Sequence, residues 1–132
     1  MKRTNYSSGA PLEAVVGYSR MVKIGNYICI GGTTSVQSDS SVYGESSYEQ
    51  AKYIFEKFID LLKEAEADAE DVFRIKAYIT DIRYAKEVGE AFSEFFKDVH
   101  PLLTIVETPN LNRPAQKVEI ELDAVIGCER IR

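Results

Sequence analysis

Three carboxylates, Glu119, Glu121 and Asp123, stand at alternate positions of the run "VEIELDAV" near the end of the chain. A period of two places them on one face of a strand and Val118, Ile120, Leu122 and Ala124 on the other. Such a row of acids has two readings. Arg74 and Lys76, at alternate positions of "VFRIKAYIT", can pair with it across a sheet, each pair stabilising by about 0.2–1 kcal/mol. At the rim of a cleft, partial burial instead raises a carboxyl's pKa toward neutrality, where it serves as a general base.

Other reactive side chains are scarce. His100 is the one histidine, and the two cysteines, Cys29 and Cys128, make no CxxC pair. Zinc would lack its common ligands, and no Ser-His or Cys-His nucleophile can be assembled. No metal or cofactor is expected. Cys29, inside "YICIGG", reads as a small buried hydrophobe, and His100, before Pro101, as the solvated, extended end of a strand. The net charge of −5 disfavours nucleic acid, whose binding is driven by clustered Lys and Arg. No apolar run is long enough to span a bilayer, and "MKRTNYSSGAP" lacks the apolar stretch of a secretory signal, so a cytoplasmic location is expected.

The elements that must position these groups form one domain over residues 1–132. Gly25-Asn26 sits between two β-rich runs, which predicts a hairpin with strands over 18–24 and 27–32; a short strand is expected around 2–6. Residues 48–67 carry Ile54, Phe55, Phe58, Leu61 and Leu62 at helical spacing, with Ser47 and Gln50 as the capping pair. A third strand follows, with Phe73, Ile75, Ala77 and Ile79 inward, then a second amphipathic helix over 84–97 with Val88, Phe92, Phe95 and Phe96 in its stripe. Two final strands lie within "HPLLTIVETPNLNRPAQKVEIELDAV".

The fold class is therefore α+β, a mixed sheet with two helices packed on one face. Two helices cover one side only, while Tyr18, Val22, Tyr27, Leu103 and Ile105 must place apolar area somewhere. An uncovered, partly apolar face predicts association with further copies, and clefts between copies are common small-ligand sites.

The segments "GYSRMVKIGNYICIGGT", "EQAKYIFEKFIDLLKEAEADAEDVFRIKAYITDI", "EFF" and "VEIELDAV", in this order, resemble the Rid family, also called YjgF and formerly the L-PSP endoribonucleases. The resemblance covers nearly the whole chain. It implies a chorismate-mutase-like homotrimer with three inter-subunit clefts, hydrolysing reactive enamines and imines to ammonia and a 2-oxo acid without metal or cofactor. In that family an arginine within Pro-x-Arg-Ser grips the substrate carboxylate; the matching stretch here is Pro101-Leu102-Leu103-Thr104, so Leu103 holds the arginine position.

By the same resemblance Glu119 is the catalytic candidate, handling water, and Tyr18 is the cleft tyrosine. Gly31 and Gly32 match a Ser-Gly turn, with Gly31 in place of the serine; Gly89 replaces a helix asparagine and Ile105 a frequent cysteine. Thr33 and Thr104 are candidate polar liners. The substrate-binding set is thus Tyr18, Gly31, Gly32, Thr33, Leu103, Thr104 and Ile105. Arg113, in the last loop, is the candidate to replace the lost cation, against its plainer reading as a solvated side chain. Leucine cannot hold a carboxylate, so standard 2-iminoacid deaminase activity is expected to be weak or absent, on a neutral or differently anchored substrate if the protein turns over at all. The alternative is a non-catalytic protein that binds or senses a small metabolite. Expected partners are further copies of the chain and that metabolite, with neither nucleic acid nor membrane; RNA cleavage is suggested by the older family name alone.

Overall fold

Ser46, not Ser47, starts the first long helix. Its hydroxyl accepts from the Glu49 N–H at 3.0 Å, and the Glu49 carboxylate reaches back to the Ser46 N–H at 3.2 Å, so two of the orphan donors at the helix start are satisfied reciprocally. Ser47 and Gln50, the expected capping pair, are buried and work elsewhere. The Gln50 amide donates to the carbonyls of Gly44 and Ala115 and accepts from the Lys117 N–H, which ties the last loop to the helix.

The structure is a computed structural model that describes residues 1–131. In chain order it contains β1 (Arg3–Tyr6), a π-helical turn (Glu13–Gly17), β2 (Met21–Ile24), β3 (Tyr27–Thr33), α1 (Ser47–Glu64), β4 (Val72–Ile79), α2 (Ala85–Phe96), β5 (Leu102–Glu107) and β6 (Val118–Val125). One sheet has the order β1-β2-β3-β6-β4-β5. All its neighbours are antiparallel except β4 and β5, which run parallel because α2 carries the chain between them.

Both helices pack on the face formed by Ile28, Ile30, Ile75, Ala77, Ile79, Ile120 and Leu122, all at most 2% exposed. Phe55 centres an aromatic cluster with Phe58, Phe92, Phe95 and Phe96, ring centroids 5.5–6.4 Å away. The other face has no helix over it. Arg74, Lys76, Glu121 and Asp123 form the expected charged ladder there, with Lys76 Nζ 3.9 Å from Glu121 and the Tyr78 hydroxyl donating to Glu121 at 3.2 Å.

Several expectations are corrected. The second strand begins at Met21, because the π turn delivers Tyr18 to the chain before any sheet pairing starts. Phe73 does not point inward: a bulge between Val72 and Arg74 gives Val72 the inward place and leaves Phe73 on the open face, its ring 6.1 Å from Tyr27. Cys29 is not in the core. It alternates with Ile28 and Ile30, so it lies on the open face in register with Asp123, and burial together with that carboxylate pushes its thiol pKa up.

Leu103 and Ile105 likewise leave the open face. They pair with the inward residues Ile75 and Ala77, so their apolar area lies on the helix side at the sheet's edge. Leu102 and Val106, 60% and 40% exposed, supply the open face instead. His100 is not extended: its φ is 61°, in the left-handed region, and its N–H caps the end of α2 by donating to the Phe96 carbonyl.

Candidate functional site

At the end of the sheet where β3 finishes and β6 begins lies a small cleft open to solvent. Its walls come from the segment before β2, the end of β3, the middle of α1 and the β5–β6 loop. Four of the sequence-derived residues meet here: Tyr18, Gly32, Thr33 and Glu119, and Arg113 joins them.

The foundation is a buried ion pair. Glu13 and Arg20 are 4% and 5% exposed, and Arg20 Nε donates to Glu13 Oε2 at 3.0 Å. The Ser7 hydroxyl at 2.7 Å, the Ser8 N–H at 2.9 Å and the Ser8 hydroxyl also donate to Glu13. Burial alone pushes this carboxyl up, but the bonds from Ser8, Ser7 and Arg20 together outweigh it and hold the pKa at about 2.

Arg20 spends its remaining donors on the cleft floor. Nη1 bonds the Gly32 carbonyl and, at 3.3 Å, the Thr33 hydroxyl; Nη2 reaches the Tyr18 hydroxyl at 3.2 Å, and the guanidinium lies 5.3 Å from the centre of the Tyr18 ring. Thr33 in turn donates to the Gly31 carbonyl at 2.7 Å. One planar fork thus fixes Tyr18, Gly32 and Thr33 relative to one another.

Glu119 stands apart from the charged ladder. Its register partner is Tyr78, whose hydroxyl bonds Glu121 instead. The Glu119 carboxylate lies over Gly32, where a Cβ would sit 2.6 Å from Oε2. Glycine is therefore required for the carboxylate to rest there. Burial raises the Glu119 pKa above 4.5, Arg20 opposes the rise and Glu121 adds to it. A half-buried carboxyl in a cleft, beside a fixed tyrosine, is suited to taking a proton from water.

The remaining expected residues lie elsewhere. Gly31 donates its N–H to the Arg20 carbonyl and borders the open face with Cys29, Arg74 and Asp123. Leu103, Thr104 and Ile105 are on the edge strand β5. Leu103 pairs with Ile75, which pairs with Leu122, so it lies two strands across and three residues along from Glu119, roughly 10 Å in each direction, and on the opposite sheet face. Successive residues alternate faces, so Thr104 shares the open face with Lys76 while Leu103 and Ile105 do not. Within one chain these three residues do not meet Glu119.

The profile of the family described as Endoribonuclease L-PSP matches residues 8–126. The chain belongs to this family. A RutC family protein of Aquifex aeolicus is 33% identical over 110 residues, which is 82% of this chain and 87% of that protein. A YjgF/YER057c/UK114 family member from Mycobacterium tuberculosis has a crystal structure with 36% identity and a TM-score of 0.86, covering 95% of this chain and all of that one. RidA from the Antarctic bacterium Psychrobacter is 26% identical, with a TM-score of 0.81 over 95% of this chain. The Rid/YjgF resemblance and the mixed sheet with two helices agree with these relatives.

Among the cleft residues not singled out from the sequence are Arg20, Lys57 and Gln116, and Glu13, which pairs with Arg20 beneath the cleft, was also missed. Gln116 is buried, donates to the Thr34 hydroxyl at 3.0 Å and accepts from the Arg113 N–H at 2.9 Å, which seats the last loop against β3. Lys57 did carry a signal. It lies three residues after Ile54 and four before Leu61, at the spacing of the buried stripe, where a lysine is out of place unless it faces a cleft. Among the described residues no group of His, Cys, Asp and Glu is arranged to hold a metal ion, and no helix is long and apolar enough to cross a membrane.

Proposed function

We propose that the protein is a cytoplasmic Rid-type homotrimer whose clefts bind a small metabolite and hydrolyse a reactive enamine, imine or related C–N compound. The half-buried Glu119 carboxyl over Gly32, beside the clamped Tyr18, carries this reading. In the proposed step Glu119 takes a proton from water as its oxygen adds to the carbon of a C=N bond. That proton passes to nitrogen to give a carbinolamine; its hydroxyl proton is then transferred to the amino group, the C–N bond breaks as the C=O forms, and ammonia and a carbonyl compound leave. Tyr18 shapes the pocket.

The apolar open face supports assembly: Tyr27, Phe73, Leu102 and Val106 are each at least 36% exposed on it. In a trimer the edge strand β5 of a neighbouring copy brings Leu103, Thr104 and Ile105 toward the cleft of the first. Leucine at the arginine position makes standard 2-iminoacid deamination weak or absent.

The test is to add the protein to freshly generated 2-aminoacrylate and follow semicarbazone formation. The expected result is little quenching; efficient quenching would refute the role given to Leu103. With a substrate that is turned over, the rate should rise with pH through the raised Glu119 pKa, and Glu119→Gln should remove that limb. Leu103 and Ile105 favour a second reading, a non-catalytic binding or sensing protein. Ligand stabilisation that survives Glu119→Gln, with no turnover of any imine, selects it. The family's description names an endoribonuclease, but the net charge of −5 argues against a phosphate-backbone partner.

A further inference from the structure

A guanidinium has N–H donors and no acceptor, so the direction of every hydrogen bond around Arg20 is fixed. The Thr33 oxygen accepts from Nη1 and sends its own proton to the Gly31 carbonyl at 2.7 Å. That proton is spent. The Tyr18 oxygen accepts from Nη2 at 3.2 Å, and among the described residues no acceptor takes the phenol proton. The Tyr18 O–H is thereby turned away from Arg20 and left free to donate. Tyr18 is 41% exposed and lines the same cleft as Glu119.

Hydrolysis of a C–N bond needs such a donor, because nitrogen leaves as an amine only after it has gained a proton. At that moment the Glu119 carboxylate is occupied with the hydroxyl proton of the carbinolamine. The other charged groups of the cleft are Arg20, with Glu13 beneath it, Lys57 from α1 and Arg113 from the last loop. Arginine does not give up a proton, and Lys57 also borders the adjoining depression with Glu56 and Asp60. The phenol has a further advantage. When its proton leaves, the Nη2–H already bonded to its oxygen becomes a charge-assisted bond to the tyrosinate, with no rearrangement of the site.

We propose that Arg20 holds Tyr18 as the proton donor of the cleft, and that the phenol gives its proton to the departing nitrogen while Glu119 takes the hydroxyl proton of the carbinolamine. The C–N bond breaks, the C=O forms, and Glu119 then returns its proton to the tyrosinate. Both side chains end as they began. Tyr18 is thus the catalytic acid and Arg20 a positioning residue that acts through it. This rests on the reading of the cleft as a site of C–N hydrolysis, and it names the donor which that reading leaves unassigned.

The test uses N-isobutylidenemethylamine, a small imine without a carboxylate, and follows its hydrolysis by the full chain with proton nuclear magnetic resonance from acid to alkaline pH. The wild type should accelerate the reaction with a bell-shaped profile, its acid limb set by Glu119 and its alkaline limb by loss of the phenol proton. Tyr18→Phe should lose about 100-fold in rate, together with the alkaline limb. With 3-fluorotyrosine at position 18, a more acidic phenol of nearly the same shape, that limb should move to lower pH. A tyrosine that only shapes the pocket would not respond in this way. Arg20→Met, made together with Glu13→Gln so that no buried charge is left unpaired, should slow the reaction about tenfold but have little further effect when Tyr18→Phe is also present. Melting curves confirm that each variant is folded. A Tyr18→Phe rate within about threefold of the wild type, or an alkaline limb that fluorination leaves in place, would overturn the proposal while a Glu119-dependent acid limb kept the hydrolytic reading standing. No acceleration by the wild type would sink that reading and this assignment with it.

Discussion

Replacing Glu13 by glutamine keeps the side chain's shape and removes its charge, leaving Arg20 buried without a counter-ion. The magnitude follows from the carboxyl's pKa, which falls from 4.5 to about 2 on folding. At about 1.4 kcal/mol per pH unit this corresponds to about 3 kcal/mol of stability, in line with the roughly 3–5 kcal/mol typical of breaking one side of a buried pair. A depressed carboxylate pKa contributes stability that is fully present above 4.5 and is lost as pH falls toward about 2. Urea unfolding at pH 7, at fixed chain concentration, should therefore show Glu13→Gln less stable by about 3 kcal/mol. Between about pH 5 and pH 2 the wild type should lose stability more steeply than the variant, in which Asp81, also held at about 2, still contributes a slope. A variant within about 1 kcal/mol of the wild type at pH 7, or one with the same acid slope, would show that the pair does not anchor the cleft floor.

Gly32→Ala should displace the Glu119 carboxylate, because the new Cβ would lie 2.6 Å from Oε2, yet leave stability within about 1 kcal/mol, since the displaced atoms end a flexible side chain; turnover or ligand binding should fall to the level of Glu119→Gln while urea midpoints stay put. Phe55→Ala should cost about 3–5 kcal/mol by opening a cavity among four aromatic neighbours, read from urea unfolding. Val106→Glu on the open face should lower the molar mass seen by light scattering without unfolding the chain, and an unchanged mass would place the assembly surface elsewhere. Leu103→Arg should raise quenching of 2-aminoacrylate above the wild type, and no gain would mean that a cation on β5 does not reach the substrate.

Long periodic segments made the architecture legible. The stripe through Ile54, Phe58 and Leu61 and the alternation through Ile120 and Leu122 are tertiary demands written directly into residue order. What escaped was local geometry that breaks a period. A bulge reversed Phe73, and a π turn, invisible to alternation, detached Tyr18 from β2. Glu119 and Gly32 were found through resemblance, and their close approach appears only in three dimensions. Arg20 and Glu13 were missed because a buried ion pair has no periodicity: each residue looks like an ordinary surface charge until the chain folds one against the other.

The bonds from Ser7 and Ser8 to Glu13 give the first strand and its following turn a stake in events some distance along the chain. Cleaving the backbone after Ser8, or replacing both serines by alanine, would loosen the carboxylate that steadies Arg20, and through that guanidinium the tyrosine and glycine of the cleft floor. The amino-terminal arm thus works as a tether for the cleft floor, and engineering it for purification or labelling would alter the shape of the cleft without touching any residue that lines it.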